Sequence, residues 1–232
     1  MDPSYSMLLV TLGACPYENE RNYRELFEKL DLGGNFSQIV PKENFWLVNG
    51  KNINEKIIFV RRDRVPDINH LNQFVRSLKF PGLTITVVFY KEAVKMTDIF
   101  ATYHLLQKYA REHMIFLKNS VLIYSPEGFK PDFTGLRERI DSLILQCNNM
   151  SINNITGSFA DLLHLFTVRP VTQKEAVRNI KYFVSELYKV HQGHRGFFEV
   201  EEDIQFILEN YYTEEELLKE FDFLLKDIFG IE

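Results

Sequence analysis

The hydrophobic pattern is clearest between residues 77 and 128. Residues 85–90 form a run of β-branched and aromatic side chains without polar alternation, which is typical of a strand buried on both faces. Behind the helix-capping residue Thr97, apolar side chains recur at helical spacing, at Ile99, Tyr103, Leu106 and Ala110. Residues 121–124 form a second buried strand. This order predicts a crossover unit of a parallel sheet, with ligand sites at the carboxyl ends of its strands.

The remaining predicted elements follow the same two patterns. Further strands are predicted at residues 7–12, 45–48, 56–60 and 150–153. Apolar stripes predict further helices around residues 23–30, 71–78, 136–147, 177–191, 204–211 and 217–228. Asn49-Gly50 indicates a hairpin between the second and third strands, and Thr172 with Glu175 forms a capping box at the start of a helix.

The order of these elements is that of a small G domain of the P-loop NTPase fold. It predicts an α/β fold with a mostly parallel six-stranded sheet, one antiparallel hairpin and helices on both faces. We expect residues 1–191 to form this domain and residues 192–232 to form an acidic, amphipathic helical tail. Because the tail helices are apolar along one face, they must pack on the body, on a second copy or on a partner.

The formal net charge of −5 is unevenly distributed. The segment from Glu199 to the end has twelve acidic and two basic side chains, a balance of −10, which leaves +5 for residues 1–198. Such a block is either a solvated face or a segment that covers a basic surface of the body. The acidic tail also argues against nucleic acid as a partner.

The sequence predicts neither a signal peptide nor a membrane span. Residues 7–15 are too short and lack a basic flank, and no later run is long enough to cross a bilayer. The two cysteines, Cys15 and Cys147, show no framework spacing, so we expect reduced thiols and a cytoplasmic location. His191 and His194 have no further His or Cys nearby in sequence, which favours a surface hinge over a metal site.

Two segments resemble the immunity-associated nucleotide-binding GTPases, the AIG-type or GIMAP family. Ser77-Leu-Lys-Phe-Pro81-Gly82, followed by the apolar strand and Thr97-Asp98, is similar to the family's S-x-x-PGP and RYT-x-x-D box. The segment from Cys147 through Asn153 and Asn154 is similar to its C-x-x-R, apolar, F-N-N segment at the base-side loop. The resemblance spans residues 7–191 and implies a G domain whose members pair across their nucleotide-side faces.

The phosphate-binding loop of that family, G-x-x-G-x-G-K-[ST], is degenerate in this chain. The vestigial positions are Gly13, Ala14, Cys15, Pro16, Tyr17 and Glu18. Pro16 has no N–H to donate, Tyr17 replaces the phosphate-neutralising lysine, and Glu18 places a carboxylate where a hydroxyl should meet magnesium. A like-charge contact at about 4 Å costs roughly 4 kcal/mol at an effective dielectric of about 20. We therefore expect no bound nucleotide, no other cofactor and no metal ion.

The other nucleotide motifs are also replaced. Arg61 and Arg62 lie near the family's D-T-P-G turn, and a vestigial base loop is formed by Ser125, Glu127, Asn153 and Asn154. The arginine cluster could bind phosphate or nucleic acid, although a solvated loop or an ion pair with the acidic tail is the commoner use of such charges. The candidate interaction-surface residues are Arg61, Arg62, Arg64, Leu217, Phe221, Leu224 and Ile228.

Two functions from different classes follow. The first is a degenerate, non-catalytic pseudo-GTPase that acts as a protein-interaction or self-association module. It would bind other proteins or form a homodimer, and it would not bind guanine nucleotide. Its pairing face would include the loop of residues 11–22, the loop of residues 61–67 and a helix over residues 69–80. The second is a divergent NTPase or other phosphate-binding enzyme that uses Arg61, Arg62 or Lys91 through a rearranged loop.

Overall fold

The computed structural model describes residues 4–13, 23–78, 84–128, 134–148, 155–211 and 213–230. Within them, five strands form one sheet in the order β2-β3-β1-β4-β5. The strands are β1 (Tyr5–Leu12), β2 (Phe45–Asn49), β3 (Glu55–Arg61), β4 (Ile85–Val94) and β5 (Ser120–Ile123). The five strands that the sequence predicts before residue 125 are thus confirmed. The sixth predicted strand, residues 150–153, lies outside the described residues.

The predicted fold class is wrong. β1 is antiparallel to both β3 and β4, and β2 is antiparallel to β3. Only β4 and β5 form an adjacent parallel pair among the described strands. The protein is an α/β protein whose described strands form a mixed, mostly antiparallel five-stranded sheet, in place of the mostly parallel six-stranded sheet of a G domain.

The connection between β1 and β2 explains this difference. After this connection β2 runs in the same direction as β1. The other strand of the hairpin, β3, therefore runs antiparallel to β1. In a G domain β2 would run antiparallel to β1, and β3 would run parallel to β1. Because a strand that is apolar on both faces fits the middle of a sheet in either direction, the hydrophobic pattern of β1 does not distinguish the two arrangements.

Helices cover both faces of the sheet. One face, which includes Leu8 and Val10, packs against α1 (Tyr23–Leu30), α2 (Leu32–Phe36) and α3 (Ile68–Ser77). The other face, which includes Met7 and Leu9, packs against α4 (Ile99–His113). Successive side chains of β1 therefore enter two separate hydrophobic cores, as the period of two along a strand requires.

A helical bundle forms the third core. It consists of α5 (Leu136–Asn148), α6 (Ile155–Val168), α7 (Gln173–His191), α8 (Phe197–Asn210) and α9 (Glu214–Phe229). The predicted cap of α7 is confirmed, since the Thr172 hydroxyl accepts a hydrogen bond from the Glu175 N–H at 3.2 Å. The sequence did not predict α6.

The acidic tail packs on the body. Its apolar face lies inside the core of the bundle, where Leu217, Phe221, Leu224 and Ile228 are almost fully buried. These four side chains therefore do not contribute an exposed surface. Arg195, in the segment that precedes α8, forms ion pairs with Asp203 at 2.7 Å and Asp227 at 2.9 Å, which link both tail helices to that segment.

Candidate interaction surface

The vestigial phosphate-binding loop begins at one end of the sheet. Gly13 follows β1, has a φ of +69°, and donates its N–H to the Thr84 carbonyl at 2.7 Å. This position is next to the beginning of β4, because Leu12 pairs with Ile85. The rest of the loop, Ala14, Cys15, Pro16, Tyr17 and Glu18, lies outside the described residues, as do Asn153 and Asn154.

Arg61 and Ser125 lie away from the Gly13 end of the sheet. Arg61 pairs with Tyr5 at the beginning of β1, and Ser125 follows β5, whose last residue Ile123 pairs with Phe89 in the middle of β4. The eight residues of β1 separate Gly13 from Arg61 by about 25 Å, at a rise of about 3.3 Å per residue. Gly13 therefore cannot share a triphosphate site with Arg61. Most of the loop of residues 11–22, which belongs to the predicted pairing face, lies outside the described residues.

The arginine cluster is paired within its own loop. The Arg61 side chain donates two hydrogen bonds to the Asp63 carboxylate, each at 3.2 Å, and Arg64 Nε lies 3.8 Å from the same group. The Arg62 N–H donates to the Ser4 carbonyl at 3.1 Å. Asp63 of the same loop is thus the partner of Arg61 and Arg64, in place of the expected acidic tail. Because these side chains are about half exposed, the pairs contribute little stability.

Ser125 and Glu127 belong to a tight turn after β5. The Ser125 hydroxyl accepts the Glu127 N–H at 3.3 Å, and the Ser125 carbonyl accepts the Gly128 N–H at 3.0 Å. Gly128 has a φ of +73°, a conformation that glycine adopts without strain. These contacts assign Ser125 a local structural role.

The largest group of exposed apolar side chains in the sheet lies on its β2 edge. Trp46 is 46% exposed, Leu47 38% and Val48 42%, and Ile53 in the adjoining hairpin connection is 58% exposed. The Trp46 ring approaches the Tyr5 ring edge-on, with ring centroids 5.2 Å apart. We name residues 45–49 together with Ile53 the β2 edge.

The main chain of β2 has one free side. Gly50 donates its N–H to the Glu55 carbonyl at 3.1 Å, so the main-chain groups of Gly50 point toward β3. The direction of the main-chain N–H and C=O groups alternates along a strand. The groups of Trp46 and Val48 therefore also point toward β3, whereas those of Phe45, Leu47 and Asn49 point away from it. Among the described strands none pairs with that outer side.

A buried polar cluster holds the hairpin in place. The Glu55 carboxylate accepts hydrogen bonds from the Tyr103 hydroxyl, from Gln107 Nε2 at 2.9 Å and from Asn52 Nδ2 at 2.8 Å. The Tyr103 oxygen in turn accepts the Lys51 N–H at 2.6 Å. Burial and the hydrogen bond to Glu55 raise the pKa of Tyr103 to about 12, so the hydroxyl keeps its proton at neutral pH. The β2 edge is therefore attached to α4 and is presented as a fixed surface.

Gly50 is required at the centre of this cluster. A Cβ atom at this position would lie 2.6 Å from Glu55 Cβ and 3.2 Å from the Tyr103 oxygen. The Asn49-Gly50 pair that predicted the hairpin therefore also permits the close approach of Glu55 to the main chain.

An open groove lies beside the free side of β2. It has a volume of about 1240 Å³ between α1 and the hairpin. Leu47 and Asn49 line one wall, and Arg24 and Glu28 of α1 line the other. The groove leaves space for the side chains of a further strand on this face of the sheet.

Comparisons with protein-family models, with curated proteins and with solved structures give no match to this chain. The fold and the site define it as an α/β protein with a mixed sheet, an attached helical bundle and an apolar sheet edge. Among the described residues, His, Cys, Asp and Glu side chains do not gather in threes or more at any point that could hold a metal ion. A search of the same residues finds no helix with the length and apolarity of a membrane span.

Proposed function

We propose that this protein is a non-catalytic protein-interaction module that binds an extended polypeptide segment along the β2 edge. The observation that carries the proposal is the combination of three consecutive exposed apolar side chains, Trp46, Leu47 and Val48, with an outer side of the strand that no described strand pairs with. Sheet edges are usually protected from such pairing by charged side chains, prolines or bulges. The β2 edge has none of these within residues 45–49.

Strand addition matches the chemistry of this edge. The outward N–H and C=O groups of Phe45, Leu47 and Asn49 supply main-chain hydrogen bonds, and the apolar side chains on both faces supply buried area. Since the polar cluster around Glu55 already fixes the hairpin, little conformational entropy is lost on binding.

A selection from short random peptides displayed on phage tests this proposal. We expect the wild-type protein to enrich extended, apolar peptides of micromolar affinity, and Leu47→Pro to lose them because it removes an outward N–H. Phe206→Ser, a change at an exposed position on α8, is the matched control and should retain them. Failure to enrich any peptide, or equal binding to the Leu47→Pro variant, would contradict the proposal.

We also propose that the module acts without guanine nucleotide. The separation of Gly13 from Arg61 along β1 supports this, because in the G-domain arrangement both positions would have to lie beside the phosphates of one nucleotide. Titration calorimetry with GTP, GDP and ATP in the presence of magnesium should give no binding heat. A micromolar, magnesium-dependent signal would favour the alternative of a divergent NTPase.

A cytoplasmic location is part of the same proposal. Cys147 is a buried free cysteine, and burial raises the pKa of its thiol, which keeps it protonated and unreactive. Protein trapped with acid from its own cells should carry Cys147 as a thiol. A disulfide at this position would contradict a reducing compartment.

A further inference from the structure

We propose that the segment bound at the β2 edge is the β2 edge of a second copy of this chain. The inference rests on the proposed function and names its partner. In this arrangement the two β2 strands run antiparallel about a two-fold axis through Leu47, and the two sheets join into one. The β2 edge then forms an isologous interface, in which the same residues contribute from both copies.

The main-chain groups of β2 are self-complementary about Leu47. The outward residues are Phe45, Leu47 and Asn49, and a two-fold axis through Leu47 places Leu47 opposite Leu47 and Phe45 opposite Asn49 of the second copy. Every outward residue therefore meets another outward residue. Pairs of this kind exchange two bonds each, which gives about six main-chain hydrogen bonds.

A shift of one residue would remove this match. Phe45 would then lie opposite Val48 of the second copy, whose N–H and C=O already point toward its own β3. Because such a shift pairs outward with inward groups throughout, the main-chain bonds select the register centred on Leu47.

The side chains agree with the same register. Trp46 lies opposite Val48 of the second copy on one face of the sheet, and this aromatic and β-branched pair occurs twice. On the other face the two Leu47 side chains lie opposite each other, beside the groove next to α1. Trp46, Leu47 and Val48 are each more than one third exposed, and in the dimer they would be covered by the same residues of the second copy.

Opposite charges flank the two ends of the paired strands. Glu43 lies two residues before β2 and Lys51 lies two residues after it, and both are exposed. The two-fold axis through Leu47 brings Glu43 of each copy to the end of the strand where Lys51 of the other copy lies. The interface thus has two symmetric pairs of opposite sign, a complementarity that a second copy supplies automatically.

Sedimentation velocity over a concentration series up to millimolar protein tests this inference. We expect a reversible dimer in the wild type and a monomer in Leu47→Pro. Glu43→Lys and Lys51→Glu should each raise the dissociation constant about 5- to 30-fold at low salt, because each places like charges at both ends. An equimolar mixture of these two variants should form a heterodimer with wild-type affinity, since every pair is again of opposite sign.

Disulfide formation measures the register independently. In a Cys15→Ser background, Leu47→Cys should oxidise to a covalent dimer, since residues directly opposite in a pair that exchanges both bonds have Cα atoms about 5.5 Å apart. Val48→Cys, one position along the same strand, is the matched control and should remain monomeric.

The outcomes separate this inference from the proposed function. A wild-type protein that stays monomeric throughout, or a dimer that persists in Leu47→Pro, would overturn the second copy as the partner. Failure of the mixed charge variants to associate, or equal oxidation of Leu47→Cys and Val48→Cys, would overturn the two-fold register. Peptides that bind wild type but not Leu47→Pro would still support the β2 edge as a binding site in each of these cases.

Discussion

Glu55 places a carboxyl group in the interior of the protein, and its side-chain partners among the described residues are neutral groups. Glu55 is only 2% exposed. Its carboxyl oxygens accept hydrogen bonds from the Tyr103 hydroxyl and from the side-chain amides of Gln107 and Asn52. Buried charges are costly unless their hydrogen bonds are satisfied. The cluster therefore acts as a unit, in which the loss of one donor affects the others.

At this scale the hydroxyl of Tyr103 is the group to remove. Tyr103→Phe deletes the donor to Glu55 and the acceptor of the Lys51 N–H, and should lower the free energy of unfolding by about 1–3 kcal/mol. Urea denaturation measures this change. Tyr5→Phe is the control, since its ring contact with Trp46 does not involve the hydroxyl. An unchanged midpoint for Tyr103→Phe would show that the cluster does not stabilise the hairpin.

The same hydroxyl gives a pH-dependent prediction. Burial is the larger cause, and the hydrogen bond to Glu55 the second, of the rise in the pKa of Tyr103 from 10.0 to about 12. Because the pKa is higher in the folded state, the stabilisation is complete below pH 10.0 and is lost as the pH rises toward about 12. The stability advantage of wild type over Tyr103→Phe should therefore shrink across this range in parallel denaturation series. An advantage that stays constant would contradict the assignment.

The β2 strand is the element whose two sides differ most. Leu47→Pro removes an N–H that faces outward and should cost less than about 1 kcal/mol of unfolding free energy. Val48→Pro removes an N–H directed at β3 and should cost about 1–3 kcal/mol. Thermal or urea unfolding of the two variants at dilute protein concentration gives the comparison. Equal losses would show that the outer side of β2 is not free.

Helix α9 offers a matched pair of phenylalanines. Phe221 is fully buried and stacks on Phe159, with ring centroids 4.0 Å apart, whereas Phe223 is 71% exposed. Phe221→Ala should lower the free energy of unfolding by about 3–5 kcal/mol, and Phe223→Ala by less than about 0.5 kcal/mol. Urea denaturation followed by circular dichroism measures both. Comparable losses would mean that the tail does not share the core of the bundle.

The elements of this protein were largely predictable, because strand and helix periods are local properties of the sequence. Helix α6 is the exception, although its apolar positions Ile155, Phe159, Leu162, Leu163 and Phe166 follow helical spacing. The Asn-rich residues before it were assigned to the base-side loop of a GTPase, and no element was predicted between that loop and the capping box at Thr172.

At the scale of the whole molecule, the direction of β1 was not predictable from the same signals. Apolar runs identify buried strands but do not indicate whether a neighbouring strand is parallel or antiparallel. The same hydrophobic pattern from β1 to β5 therefore fits both a G domain and this mixed sheet. The β2 edge was missed for a related reason. The hydrophobicity of Trp46, Leu47 and Val48 resembles that of a covered strand, and only the order of the described strands shows β2 at the edge of the sheet.

Because β1 lies between β3 and β4 but precedes both along the chain, the middle of the sheet is synthesised before either neighbour. We expect that β1 leaves the ribosome with both of its apolar faces uncovered and stays vulnerable until β4 has followed it. Protease digestion of ribosome-stalled chains should find β1 protected only when the stall site lies far enough beyond residue 94 for β4 to have emerged. Protection in a chain that ends before β4 would show that β1 docks on β3 alone.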